Sequence, residues 1–446
     1  MSLSNADTIT LLLALILIMA FAHVFGDVAV RLRQPRVAGE IVGGLLLGPT
    51  VFGFLLPGAQ GSIFHSGSAT GWVLGAFYQL GLFLLMFCSG ASLRSSTNAG
   101  ERRTTGLVAL IGNVFPFAAG LLFVQLYDTR GLVGTAHNHL AFVLVFACGL
   151  AVTSIPVISK IMADLGILST SFARIVLAVA VIEDVALYVV VSVALGLVMP
   201  QHGDPFSLAS IIGVRPDTVG GNLYYIVASI AFFTLPLLLG RKFLDRVSSH
   251  PGNVLLRGSP LALAVIFVFA LTALALFIGV AAYFGAFVAG ILAGDLRGKA
   301  AEAHDAIRRF SFAFFIPIYF AIVGLRLDLI RQFDIPFFLL FLGYACVVKA
   351  LSVYAGARLA GMGPFGARNL AVALNARGGP AIVLASVAFD AQIINQRFYV
   401  ALVMLALVTS AIAGSWLDIT LGRRETATDA LLVKQPDRVP ADAPVG

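Results

Sequence analysis

Glu183 and Asp184 stand side by side in the apolar run IVLAVAVIEDVALYVVVSVALGLV. A carboxylate at the centre of a bilayer costs roughly 2.5–3.5 kcal/mol on the mildest insertion scale. Two in succession do nothing to hold a helix together, so they mark a place where a cation or a proton meets the protein. Neighbouring helix positions point about 100° apart, and the two acids therefore cannot face one partner. One can line an aqueous cavity while the other turns to an adjacent helix. A carboxylate that holds either a proton or a metal cation, never both, makes the two compete. The competing reading of either acid is a buried ion pair with no transport role.

Other residues fit around this pair. Lys349 lies well inside FFLLFLGYACVVKALSVYAG and needs a partner. Glu183 and Asp184 are the membrane-embedded choices, and the lysine is either a fixed structural bridge or itself a proton donor. Thr153 and Ser154, in the break TSIPVISKIMADLGIL, offer hydroxyls suited to Na⁺ or K⁺, and the interrupted backbone offers carbonyls. Asp184 and Thr153 are the first candidates as direct metal ligands. Arg377 sits in a second break and reads mainly as structural, its charge laid against freed carbonyls or helix C-termini. Glu40, in RVAGEIVGGLLLGPTVFG, is either part of an ion entrance or tied to Arg36. Asp328 and Arg326 in IVGLRLDL read as interfacial. Cys88, Cys148 and Cys346 are far apart within apolar segments and form no disulfide framework or metal spacing. His23 lies in an apolar helix as an isolated candidate ligand or relay, and no HxxH or HExxH is present. Neither a nucleophile–base pair nor a cofactor motif appears, so an enzyme is not expected.

The elements that position these residues are membrane helices. Hydrophobic residues make up 59% of the 446, charged residues only 11%, and the mean hydropathy is +0.97. Soluble domains carry about 25% charged residues, so this is an integral membrane protein in contact with lipid. Apolar runs of spanning length fall near 8–30, 36–55, 71–93, 105–126, 138–164, 171–199, 222–244, 258–279, 281–295, 310–325, 335–360, 367–390 and 396–420. The runs 281–295 and 310–325 are short, and Gly279–Gly285 is either a loop or a kink. A net charge of +7 could suggest nucleic acid, but the basic residues are spread between the apolar runs. With the N-terminus outside, 22 of the 29 Lys and Arg fall on the inner side and five on the outer, Lys349 and Arg377 remaining within the membrane. That asymmetry follows the positive-inside rule. It predicts thirteen helices, N-terminus outside and C-terminus cytoplasmic, in a cell inner membrane or plasma membrane. No Lys or Arg precedes the first run, which is expected to be a retained span. The polar segment 421–446 is expected to be a disordered tail.

An odd helix between two groups of six places the groups in opposite orientations, the arithmetic of inverted repeats. The breaks at Thr153-Ser154-Ile155-Pro156 and Arg377-Gly378-Gly379-Pro380 occupy corresponding places in the two halves. Paired interruptions of this kind mark crossed, discontinuous helices around a midplane site.

The ordered set AGEIVGGLLLGP, TSIPVISKIMADLGIL, VIEDVALYVV, YFGAFVAGILAG and FFIPIYFAIVGLRLDL, with Lys349, resembles the monovalent cation/proton antiporter superfamily. The similarity spans about Gly39 to Trp416 and is nearest the Kef-type potassium-efflux and bacterial sodium/proton branch. The resemblance implies a homodimer whose core domain (about 105–199 and 335–420) moves against a dimerisation scaffold (about 8–93 and 222–325) in an elevator-like cycle. It places the ion-binding aspartate at Asp184, the variable position before it at Glu183, the membrane lysine at Lys349, and the hydroxyl of the unwound helix at Thr153 or Ser154. Many relatives carry Arg-Gly-Glu in the second break, whereas here Arg377-Gly378 is followed by Gly379. A Kef-type nucleotide-binding domain is not visible in the sequence. The expected function is exchange of Na⁺ or K⁺ for H⁺ at Asp184, assisted by Thr153 and Ser154, with Glu183 and Lys349 as a coupled pair. A sodium-coupled organic-solute carrier of the same architecture and a cation channel stand as alternatives.

Overall fold

The computed structural model describes residues 3–64, 67–91, 101–168, 170–198, 207–214, 218–249, 258–293 and 299–421. The expected tail lies outside them. Among the described residues the protein is helical, with one isolated antiparallel bridge, between Val133 and Ile394. The principal helices are α1 (Asn5–Arg31), α2 (Arg36–Leu47), α3 (Ala69–Ala91), α4 (Arg102–Leu126), α5 (His139–Ala151), α6 (Ile155–Asp164), α7 (Ser171–Gly196) and α8 (Val219–Ser249). They continue with α9 (Pro260–Ile278), α10 (Ala282–Ala293) and α11 (Lys299–Phe310, running through a π turn at Ser311–Phe315 into Ile316–Leu325). Then come α12 (Ile335–Leu359), α13 (Pro364–Ala373), α14 (Gly378–Asp390) and α15 (Gln396–Leu421).

Ten described stretches are long and apolar enough to span, and three shorter apolar helices bring the candidate crossings among the described residues to thirteen. The doubtful region resolves as two helices: Gly279 caps α9 at φ 91°, a left-handed conformation that favours glycine, and α10 starts after it. The short run 310–325 proves to be the second part of α11. Polar N-caps set several starts: Thr170 accepts from the Ala173 N–H to open α7, and Asp334 from the Phe337 N–H to open α12.

The two interruptions fall in the fifth crossing of each half, with α8 between the halves. The first unwinds at Val152–Ser154, and Pro156 belongs to the first turn of α6. The second unwinds at Leu374–Arg377, upstream of the stretch the sequence suggested; Gly378, Gly379 and Pro380 already form the first turn of α14. Proline has no N–H to lose at a helix start, which is why each Pro follows the break rather than forming it.

Helices α1, α2, α3, α9, α10 and α11 pack as one bundle, and α4 to α7 with α12 to α15 as another. The first bundle is pinned by two reciprocal glycine crossings. A Cβ on Gly44 would lie 1.8 Å from the Ala321 carbonyl oxygen, and one on Gly324 2.0 Å from that of Ile41. The same holds for Gly90 against Phe287 (2.1 Å) and Gly290 against Phe87 (2.0 Å). Each crossing joins the second helix of one half to the third of the other, so the pair are mates under the inverted-repeat symmetry. Small residues drive such contacts because lipid supplies no hydrophobic force between helices. Gly44→Ala must displace backbone, at a cost of about 1–3 kcal/mol. It should melt below the parent in detergent, while Gly58→Ala, which meets nothing within 4 Å, should melt with it.

Candidate ion-binding site

Breaking α5 inside the membrane frees the carbonyls of its last turn, and each needs a donor where water is absent. All four have one. The Val152 N–H donates to the Cys148 oxygen at 3.0 Å. Arg377 donates through Nε to Gly149 (3.4 Å) and through Nη2 to Leu150 (3.2 Å). Lys349 Nζ donates to Ala151 at 2.6 Å. Two cations thus sit at the negative end of a half-helix, where the dipole favours them.

Both cations are otherwise fully engaged. Lys349 is buried and directs its remaining donors to the Gly112 carbonyl at 2.9 Å and to Glu183 Oε1 at 2.8 Å. Arg377 also reaches the Ala345 carbonyl (2.9 Å) and, through Nη1, the backbone oxygen and Oδ1 of Asn375. Buried charge is tolerated when paired and hydrogen-bonded in this way.

The two breaks cross and bond to each other. The Ser154 N–H donates to the Ala376 carbonyl (2.8 Å), and Thr153 Oγ1 donates to that of Leu374 (2.7 Å). Helix α15 supports the second break: Arg377 N–H donates to Thr409 Oγ1 and Gly378 N–H to Ser410 Oγ. Gly378 adopts φ 34°, and a Cβ there would lie 2.5 Å from Ser154 Oγ. At Gly379 a Cβ would meet nothing within 4 Å. The backbone there would accept a Cβ without a clash.

Asp184 is the residue this framework does not satisfy. Both its oxygens are buried and accept no hydrogen bond, and the same holds for Glu183 Oε2 and Ser154 Oγ. Lys349 goes to Glu183, and among the described residues no cation contacts Asp184. An ionised carboxylate cannot be buried bare; it must carry a proton or a cation. Thr153 spends its hydroxyl hydrogen on Leu374 and keeps only lone pairs, whereas Ser154 keeps both functions. A cavity of about 160 Å³, lined in part by Asn113, Cys148, Ala151, Val152 and Glu183, reaches the Glu183 side of the pair.

Glu40 lies elsewhere. It is buried on α2 with Arg36 at 3.5 Å, beside a separate cleft of about 450 Å³ that includes His23 and Arg308. The structure thus places it apart from Asp184 and Lys349, with Arg36 as its i,i+4 partner. Asp328 caps a short helical turn by accepting from Arg331 N–H. Sequence reasoning missed Asn375, Thr409 and Ser410. Asn375, the lone amide just before Arg377 in AVALNARGG, was the one with a visible signal.

Removing Lys349 strips Glu183 and Ala151 of their donor together. Loss of one member of a buried pair costs about 3–5 kcal/mol. Lys349→Gln should therefore lower the melting temperature in detergent, and adding Glu183→Gln should restore part of it. Equal melting of single and double variants would show that the pair is not coupled.

Comparison with known proteins gives a consistent result. The family model described as the transmembrane region of sodium/hydrogen exchangers matches residues 13–423. The chain is 26% identical over 417 residues to the Na(+)/H(+) antiporter NhaS4 of Synechocystis, covering 91% of this chain and 96% of that one. It is 24% identical to the Na(+)/H(+)-K(+) antiporter GerN of Bacillus cereus, covering 93% and 97%. Among solved structures, the sodium proton antiporter MjNhaP1 of Methanocaldococcus jannaschii superposes with a TM-score of 0.61 at 15% identity, over 94% of this chain and 99% of that one.

Proposed function

The chain belongs to the sodium/hydrogen exchanger family and is a monovalent cation/proton antiporter; on that premise we propose that Asp184 is the site at which Na⁺ or K⁺ and H⁺ replace one another. The observation that carries this reading is the pair of orphaned oxygens on Asp184, buried in a site whose other charges are compensated. Ser154 Oγ, Thr153 lone pairs and backbone at the breaks supply further hard oxygen donors to a dehydrated cation. Glu183 and Lys349 form the coupled pair beside it, with Arg377 holding the break together.

Exchange follows from the energetics of the empty site. A bare ionised Asp184 is too costly to carry through a dry barrier, so the loaded forms alone, protonated or cation-bound, change sides. We assign the moving body to the α4–α7 and α12–α15 bundle, and the static one to the glycine-pinned bundle, in an elevator-like cycle. The face bearing Arg31, Arg102 and Arg358 is read as cytoplasmic by the positive-inside rule, in an inner or plasma membrane. The thinly covered helices α1 and α9 are the surfaces proposed to meet a second copy.

Purified protein in liposomes, with proton flux followed by a quenched dye, provides the test. Asp184→Asn should abolish cation-dependent proton movement; residual exchange near the parental rate removes Asp184 from the role assigned to it. The pH dependence has a definite sign. Below the carboxyl's pKa the proton occupies the site, so the apparent KM for the cation should fall about tenfold for each unit of rising pH. Above it the KM should become constant.

A further inference from the structure

The two bundles meet along a seam that runs from Asp184 to the face on which α14 ends. At the rim, Arg326, just past α11, places Nη1 2.7 Å from Asp390 Oδ1, and Tyr78 Oη on α3 donates to Asp390 Oδ2 at 2.9 Å. The guanidinium lies 4.3 Å over the Tyr78 ring. Asp390 belongs to the α4–α7/α12–α15 bundle, and Arg326 and Tyr78 to the other, so the triad bolts one bundle to its neighbour. One layer deeper, Tyr319 stacks on Tyr78 at 5.1 Å, and Ser386 sits one turn before Asp390. Deeper still, Tyr188, Tyr283, Phe284, Val383 and Val387 line a crevice with no room for water, one turn beyond Asp184.

This layer is packed shut, yet it is not apolar. The hydroxyls of Tyr283, Tyr319 and Ser386 are all buried without a well-formed hydrogen bond, Tyr319 and Ser386 lying close enough across the seam to interact. Buried hydroxyls are normally satisfied, and each orphan is costly. Three on one seam, between an orphaned acid and a surface ion pair, are accounted for together if the seam also exists in a wetted form.

We propose that this seam is the ion path from the α14-end face to Asp184, closed here, with the Ser386, Tyr283 and Tyr319 hydroxyls as its polar lining and the Arg326–Asp390–Tyr78 triad as its bolt. The proposal rests on Asp184 being the ion site. When the bundles part, the hydroxyls meet water or a partly dehydrated cation, and Asp390 is released as an acid at the mouth. An interfacial ion pair of this exposure shifts a two-state equilibrium modestly.

The test uses the full chain in nanodiscs with Val387→Cys as a reporter, labelled by a polar maleimide. The parent with its three native cysteines sets the baseline. Asp390→Asn and Arg326→Gln should each raise the labelling rate about two- to fivefold, and Tyr78→Phe should raise it by a smaller factor. Ser386→Ala should lower cation-driven exchange in liposomes severalfold while leaving the pH profile in place. Labelling of folded Asp390→Asn at the parental rate overturns the bolt. Tyr78→Phe, which removes a single oxygen, decides the same point if Asp390→Asn does not fold. Parental exchange in Ser386→Ala overturns the lining. If the unmodified protein moves no protons in response to cations, the antiport reading of Asp184 fails, and the labelling comparison still decides whether the triad closes the seam.

Discussion

A helix cut in the middle of a membrane exposes carbonyls that nothing in lipid can satisfy, and this requirement organises the protein. The end of α5 is closed by Lys349 and Arg377, which reach it from α12 and from the second break. A cation brought there must itself be compensated, and Glu183 answers Lys349. Asp184, the next residue, then faces a framework whose positive charges are already committed. Its lack of a partner follows from the capping of α5 and leaves the position open to a mobile cation or proton.

The two bundles differ in how they are held. Glycine crossings bring backbone against backbone in the α1–α3/α9–α11 bundle, a geometry with little freedom to slide. The seam between the bundles is made instead of aromatic faces, single hydrogen bonds and half-exposed ion pairs, among them Arg326–Asp390 at one face and Arg33–Asp418 at the other. Contacts of that kind can be exchanged for water at modest cost. Rigid interiors and a replaceable interface suit the proposed movement of one bundle against the other.

Much of this was legible in the chain. The thirteen spans could be counted because each buries its own backbone hydrogen bonds and needs apolar length, and Glu183 and Asp184 stood out because their burial is so expensive. The first break was found nearly in place. The second was displaced because Pro380 was taken as part of the interruption, when its missing N–H suits the first turn of α14. The expected partner of Lys349 is Glu183 rather than Asp184, and the structure places Nζ 2.8 Å from Glu183 Oε1. The capping of Ala151 by Lys349 joins positions 198 apart in sequence, a pairing that no local pattern encodes. Glu40 had two readings, an ion entrance or a tie to Arg36, and the structure gives it the i,i+4 arginine beside a cleft.

The π turn at Ser311–Phe315 has a consequence for how α11 evolves. Its wider turn frees backbone oxygens from the regular ladder, and the Ala313 carbonyl lies 3.1 Å from His23 Nε2 on α1. The turn also re-phases the helix: the basic end carrying Arg308 and Arg309 and the fully buried end carrying Gly324 no longer share one helical register. Each end can therefore drift in sequence without rotating the other. A homologue that lost one residue from this turn would have to give up either the glycine crossing or the basic end, and the imidazole on α1 would lose its acceptor in the same event.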